Sequence, residues 1–321
     1  MMDLTLLVSS AGRRVALIEC FRRSAKANDI NLKVLACDRE PALSAACKAA
    51  DRAFVVPGCT HPAFIETMLE IVSDFGVKLV VPTIDPELAP LAEAVPRFAE
   101  LGARVHVSPP SVIEIVRDKL RTVEVLGRAG VPVPITVSLN AARNCSGPKL
   151  WPMLLKPVAG SASRGIRIIR SQSELPDEPE EPMVLQQLLK GPEFTVNMFV
   201  DQEGTLRSAI AHRRLRVRAG EVEKGRTERE PLFRMLAEQV CVALPEARGV
   251  MCFQLILDET AGPCVFEVNA RFGGGYPLAQ YAGADYAGWL LREVAGLPSI
   301  AHDNWRDGAL TLRYDAAFFE G

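Results

Sequence analysis

The sequence predicts an α/β fold that opens with a doubly wound parallel sheet and continues into a mixed, strand-rich α+β region. Three observations predict it. Short apolar runs alternate with helically spaced segments over residues 4–107, the pattern of parallel strands joined by crossover helices. Two strongly apolar strands flank a turn at 258–263, the mark of an antiparallel hairpin. The length of 321 residues, at roughly 150 per domain, suggests two domains, expected at 1–108 and 109–321.

Taken in order, residues 4–9 read as a buried strand and 10–14 as a turn, and helical spacing runs from Arg14 to Ala27. Residues 32–37 form a second strand ending at Asp38, and Val55-Val56 a short third. A helix is expected over 64–75, a fourth strand at 79–81 before Pro82, and a closing strand at 105–107. The Ser9–Arg14 turn holds one glycine where a dinucleotide fingerprint needs three, which excludes a standard Rossmann cofactor site. The turn is either a plain structural connection or an anion site built from its N–H groups. Asp85 and Glu87, just past a strand's carboxyl end, either meet a substrate cation or start the next helix.

Ser111 and Glu114 form a capping-box pattern for one helix running through Asp118-Lys119 to Ala129, stopped by Gly130. Pro132 and Pro134 force an extended segment, and 141–150 reads as a surface loop. Residues 151–169 read as strand, small-residue loop, strand, with Lys156 feeding a loop that contains Gly160, Ser161, Ser163 and Gly165. Such a loop lets backbone N–H groups curl around an oxyanion, although many hairpins carry the same residues. The acidic, proline-rich stretch 171–182 is an exposed connection before a strand at 184–186. Glu193 to Val200 alternates as a strand with Glu193, Thr195 and Asn197 on one face. At strand spacing Arg214, Arg216 and Arg218 share a side, with almost no aromatics between them to favour RNA.

The stretch 250–271 is the most informative. A hairpin centred between residues 260 and 261 places Gln254 opposite Glu267 and aligns Glu267, Asn269 and Arg271 on one face. Two amide oxygens and a carboxylate suit Mg²⁺, a hard ion that shares its shell with phosphates. A planar guanidinium beside them suits a phosphoryl or carboxylate group. The plain alternative is the polar outer face of a hairpin. Phe272-Gly273-Gly274-Gly275 follows, a loop that allows close backbone approach to a ligand.

Composition excludes several classes. Hydrophobic residues make up 48% and charged residues 24%, a globular balance. The formal net charge of -2 supplies no general field for nucleic acid or an anionic membrane. The eight cysteines form no CxxC pair and mostly sit in apolar runs, as reduced buried thiols do; the four histidines show no zinc spacing. The Leu4–Val8 run is too short for a signal peptide, and no stretch approaches the ~20 residues that span a bilayer. A cytoplasmic protein is expected.

With these motifs in order, the chain resembles an ATP-grasp protein, close to the short single-chain relatives of the carbamoyl phosphate synthetase large subunit. The resemblance covers nearly the whole length. It implies an N-terminal pre-ATP-grasp domain, including Pro-Thr-Ile-Asp-Pro-Glu-Leu at 82–88, followed by a two-lobed ATP-grasp domain. The lobes would span about 131–187 and 188–321. It implies that Lys119 and Lys156 reach ATP phosphates and that Gly160, Ser161, Ser163 and Gly165 belong to the loop closing over them. Gln186, Gln187, Leu188 and Leu189 would form the hinge that holds adenine, and Glu193 would bind ribose. Gln254, Glu267 and Asn269 fall at the Mg²⁺ positions, with Mn²⁺ as the alternative metal, and Arg271 and Lys156 carry the catalytic roles. Gln254 departs from the carboxylate more usual at its position, which should weaken one of two metals.

The resemblance implies an ADP-forming ligase: a small-molecule carboxylate is phosphorylated to an acylphosphate, which an amine then attacks. A carbamoyl phosphate synthetase-like kinase step, or a nucleotide-binding protein without turnover, are the alternatives. No nucleic acid or membrane partner is implied, and a homodimer is a candidate assembly.

Overall fold

The computed structural model describes residues 2–144, 151–160 and 165–319. Five parallel strands come first: β1 (Met2–Ser9), β2 (Ile30–Asp38), β3 (Arg52–Val55), β4 (Leu79–Pro82) and β5 (Arg104–Val105). They lie in the order β3-β2-β1-β4-β5, so the winding reverses between β1 and β4. Period two divides their apolar side chains between two cores. Leu6, Val8, Val34 and Val81 pack with the helix Val15–Ala27, whereas Leu7, Leu35 and Val80 pack with the helix Phe64–Phe75. Burial on both faces is why these strands read as unbroken apolar runs.

A four-stranded antiparallel sheet follows, from β6 (Thr136–Ser138), β7 (Met153–Pro157), β8 (Arg167–Ile169) and β9 (Met183–Gln187), in the order β6-β9-β7-β8. A larger antiparallel sheet holds β10 (Glu193–Val200), β11 (Leu206–Arg218), β12 (Glu221–Thr227), β13 (Gly249–Asp258), β14 (Gly262–Asn269) and β15 (Leu310–Leu312). Its order is β14-β13-β10-β11-β12-β15. An aromatic group ties this sheet to the first one. Phe272 meets Phe21 at 5.6 Å and Tyr276 at 4.7 Å between ring centroids, both edge-to-face.

Three expectations are corrected. The helix expected from Ser111 to Ala129 is two helices, Pro110–Arg117 and Lys119–Arg128. Asp118 is extended between them and caps the second, accepting from the N–H groups of Leu120 and Arg121 at 2.8 and 3.0 Å. The Ser111 box does not form: its hydroxyl donates to Glu246 at 2.6 Å, and Glu114 pairs with Arg121. The loop expected at 141–150 begins inside a helix, Leu139–Asn144; residues 145–150 lie outside the described residues.

The third correction concerns β11. Register shifts on either side of Arg216 break its alternation. Arg214 therefore turns inward, with 6% of its side chain exposed, while Arg216 and Arg218 stay at the surface beside Glu223.

Seven described cysteines are free, and five of them are buried. Among the described residues no helix is long and apolar enough to cross a membrane.

Candidate active site

A cavity of about 420 Å³ opens where the carboxyl ends of β1 and β4 face the two antiparallel sheets. This is the switch point of the parallel sheet, where ligands of open α/β folds bind. The loop after β4 is bolted in place by Glu87. Its buried carboxylate accepts from the Ser9 and Ser10 hydroxyls at 2.5 and 2.9 Å and from the Thr83 and Ile84 N–H groups at 2.7 and 3.1 Å. Glu87 is thus structural. The first turn is occupied too: the Gly12 N–H donates to Asp38 at 2.8 Å and the Ala11 N–H to the Cys37 carbonyl at 3.1 Å. The Ala11 and Gly12 N–H groups are therefore not available to an anion.

Lys156, next to last in β7, lies where the strand meets the cavity. Its Nζ donates to Gln186 Oε1 at 2.7 Å, and the Gln186 amide donates on to Thr136 Oγ1 at 2.9 Å. Burial pulls the Lys156 pKa down to about 8; nearby Glu267 opposes the shift and Lys119 adds to it. The break at Asp118 sets Lys119 at the start of its helix, where Nζ donates to the Gly160 carbonyl at 2.7 Å. Burial lowers the Lys119 pKa as well.

The Lys156 shift makes a testable statement about ligand binding. A polyphosphate beside Lys156 favours its charged form, so binding near pH 8 should draw a proton from solution. Calorimetry of ATP binding in two buffers of different ionisation enthalpy should show net uptake that shrinks toward pH 6.5, where the free amine is already charged. Lys156→Met should sharply reduce the uptake, leaving at most the share of Lys119. Binding with no buffer dependence near pH 8 would contradict the expectation that Lys156 reaches the ATP phosphates.

The β13–β14 hairpin pairs Gln254 with Glu267 and Cys252 with Asn269, as expected. Nearer the turn, Leu255 pairs with Val265 and Asp258 with Gly262, a register one residue different. The extra residue is Phe266, a bulge that lets Phe266 and Glu267 both line the cavity. The Glu267 carboxylate makes no hydrogen bond or ion pair among the described residues. Burial raises its pKa, while Lys119 and Lys156 pull it back and Asp85 adds to the rise. Gln254 and Asn269 lie beside it in the lining.

Arg271 differs from expectation in its partner. Its Nε and Nη2 donate to the two Asp85 oxygens at 3.0 and 2.7 Å, and Nη2 also reaches Asn269 Oδ1 at 3.2 Å. Burial would lower the guanidinium's pKa, but Asp85 outweighs it and the net shift is upward. Asp85, one of the two acids ambiguous in the sequence, is therefore the Arg271 clamp.

The cavity thus gathers Lys119, Lys156, Gly160, Gln186, Gln187, Leu189, Glu193, Gln254, Glu267, Asn269 and Arg271. Gly165 and Leu188 do not line it, and Ser161 and Ser163 lie outside the described residues. Glu193 pairs with Arg214 at 3.2 Å. Sequence reasoning missed Arg14, Glu221 and Arg313, which meet from the turn after β1, the start of β12 and the segment after β15. The basic pair at the Arg13-Arg14 turn is the signal for Arg14, and a loose match of residues 218–221 to a phosphate-contacting segment of ATP-grasp proteins is the one for Glu221.

Both parts of the chain match known families. Residues 6–106 match a PylC-like N-terminal domain, and residues 116–275 match an ATP-grasp domain. A 2-oxoglutarate carboxylase small subunit from Hydrogenobacter thermophilus is 34% identical over 136 residues, 40% of this chain and 28% of that protein. A D-alanine–D-alanine ligase from Pseudomonas fluorescens is 30% identical over 97 residues, 27% of this chain and 30% of that protein. The matches therefore span less than a third of either relative. In structure, the biotin carboxylase domain dimer of the Hydrogenobacter 2-oxoglutarate carboxylase, solved with MgADP, ADP and bicarbonate, superimposes with a TM-score of 0.74 at 22% identity. That match covers 97% of this chain and 74% of the other.

Proposed function

Since the chain belongs to the ATP-grasp superfamily and carries a PylC-like N-terminal domain, we propose that it is an ADP-forming carboxylate–amine ligase. The observation that carries this reading is the convergence of Lys119, Lys156 and a Glu267 carboxylate, unpaired among the described residues, in one cavity that also reaches the Arg271–Asp85 clamp.

The proposed first step joins a carboxylate oxygen of the substrate to the γ-phosphorus of ATP as the bond to ADP breaks. In the second, an amine nitrogen bonds the acyl carbon, inorganic phosphate leaves, and the amine's proton goes to solvent or phosphate. Such chemistry needs positioning and charge neutralisation rather than a protein nucleophile. Lys119 and Lys156 would hold the phosphates, and the Gln186 hydrogen bond would fix the direction of Lys156. Arg271, released in part from Asp85, would meet charge on the phosphoryl group in flight. Gln187 and Leu189 would border the base, and Glu193 the ribose.

Mg²⁺ fits this donor set. Glu267 has no direct partner among the described residues, and its carboxylate, with the Gln254 and Asn269 amides, offers hard oxygens. The lining holds five cationic and four acidic side chains, too little positive charge for the roughly four negative charges of ATP without a divalent ion. When bound, the metal would neutralise phosphate charge.

Pairs of carboxylates and amines, screened for Mg²⁺-dependent ADP release, test the proposal. A pair that stimulates release more than either member alone supports it. Stimulation by bicarbonate alone would favour instead the carboxylating chemistry named for the Hydrogenobacter relative. The dimer named for that structure makes a homodimer the assembly to test, by light scattering.

A further inference from the structure

A second cavity of about 120 Å³ adjoins the first across Arg14 and Glu221. It lies over the turn after β1, at the same reversal of strand order. Glu221 bridges two guanidiniums, with Arg313 Nη1 at 2.8 Å and Arg14 Nη1 at 3.2 Å. Arg14 is only 20% exposed, yet among the described residues its guanidinium makes that one ion pair and no hydrogen bond. Most of its donors are therefore unused in a partly dehydrated site, where an anion would be held strongly. The loop glycine Gly274 leaves room for this group: a Cβ there would fall 2.8 Å from the Glu221 carboxylate and 3.0 Å from Arg14 Nη1.

We propose that this smaller cavity is the acceptor subsite and takes the carboxylate end of a small amino acid, bound by Arg14 and Arg313. The inference rests on the ligase reading and names the class of its amine. Arg14 lines both cavities, but Arg313 lines only the smaller one and Lys156, Gln254 and Glu267 only the larger, so an anion held between Arg14 and Arg313 is not the carboxylate being phosphorylated. It belongs to a second charged group. Glu221, at the boundary between the cavities, is placed to meet the ammonium of the same molecule before it loses its proton and faces the acylphosphate.

Calorimetry with Mg²⁺ and a non-hydrolysable ATP analogue present tests this without turnover. The titrants are the standard L-amino acids and glycine, and for each binder its amide, which keeps the amine and loses the carboxylate. At least one amino acid should bind, and its amide should bind at least about tenfold more weakly. Arg14→Gln should weaken the amino acid about tenfold, and Arg313→Gln should weaken it too, while binding of the analogue shows that each variant is folded. No binding by any amino acid, equal binding of the amide, or unchanged affinity in Arg14→Gln would each overturn the inference. Should an amino acid bind as expected and stimulate ADP release yet no amide product form from any carboxylate, the amino acid's own included, the ligase reading fails and the subsite stands.

Discussion

Arg271→Ala is expected to lower kcat about 10³-fold while moving the KM for ATP only severalfold, because its role is assigned to charge that develops in transfer. The structure adds a complication that sharpens the test. Arg271 and Asp85 form a bidentate pair with 12% and 21% side-chain exposure, so removing one partner strands the other. Arg271→Ala should therefore also lower Tm. The double variant Asp85→Ala/Arg271→Ala removes the stranded carboxylate and should recover much of the Tm without recovering kcat. If kcat returns together with Tm, Arg271 is a structural ion pair between the first sheet and the hairpin and nothing more.

Glu267→Gln is expected to raise the Mg²⁺ concentration needed for half-maximal turnover by about 10²-fold and to cut turnover at saturating metal. Its effect on stability should run the other way. Burial holds the Glu267 carboxyl above its ordinary pKa, so the folded protein disfavours this charge. In sign, a raised folded-state pKa means that the ionised group costs stability as pH rises past its ordinary range, a cost the neutral amide lacks. Tm near pH 7 should thus stay level or rise. Lys119 and Lys156 lose an attractive neighbour in this variant, so their pKa values should fall further. A lower Tm with an unchanged Mg²⁺ requirement would make Glu267 a structural residue.

Much of the site could be read from the sequence because it rests on local periodicity. Glu267, Asn269 and Arg271 share a face by period two, and that needs no tertiary knowledge. The pairing of Gln254 with Glu267 is less direct. The turn is centred on residue 260 rather than between 260 and 261, and the bulge at Phe266 restores the register just before Glu267. Bulges have no reliable local signature, which is also why Arg214 separates from Arg216 and Arg218 unannounced. The break at Asp118 had a signal, an acid before Lys119, but apolar spacing on both sides argued for one helix. What sequence could not offer was meeting by long separation. Arg14, Glu221 and Arg313 come from three distant elements, and Asp85 meets Arg271 across 186 residues. Local pattern gives no weight to such pairs.

The central claim is acyl transfer through an acylphosphate, and oxygen tracing tests it most directly. A carboxylate identified by the ADP-release screen is labelled with oxygen-18 in its carboxyl group and turned over with ATP, Mg²⁺ and the amine. The account predicts that one labelled oxygen per turnover appears in inorganic phosphate, since the carboxylate oxygen that bonds phosphorus leaves with it. Phosphate free of label, with ADP released at the same rate, would contradict the account and leave this protein an ATPase whose carboxylate is a spectator.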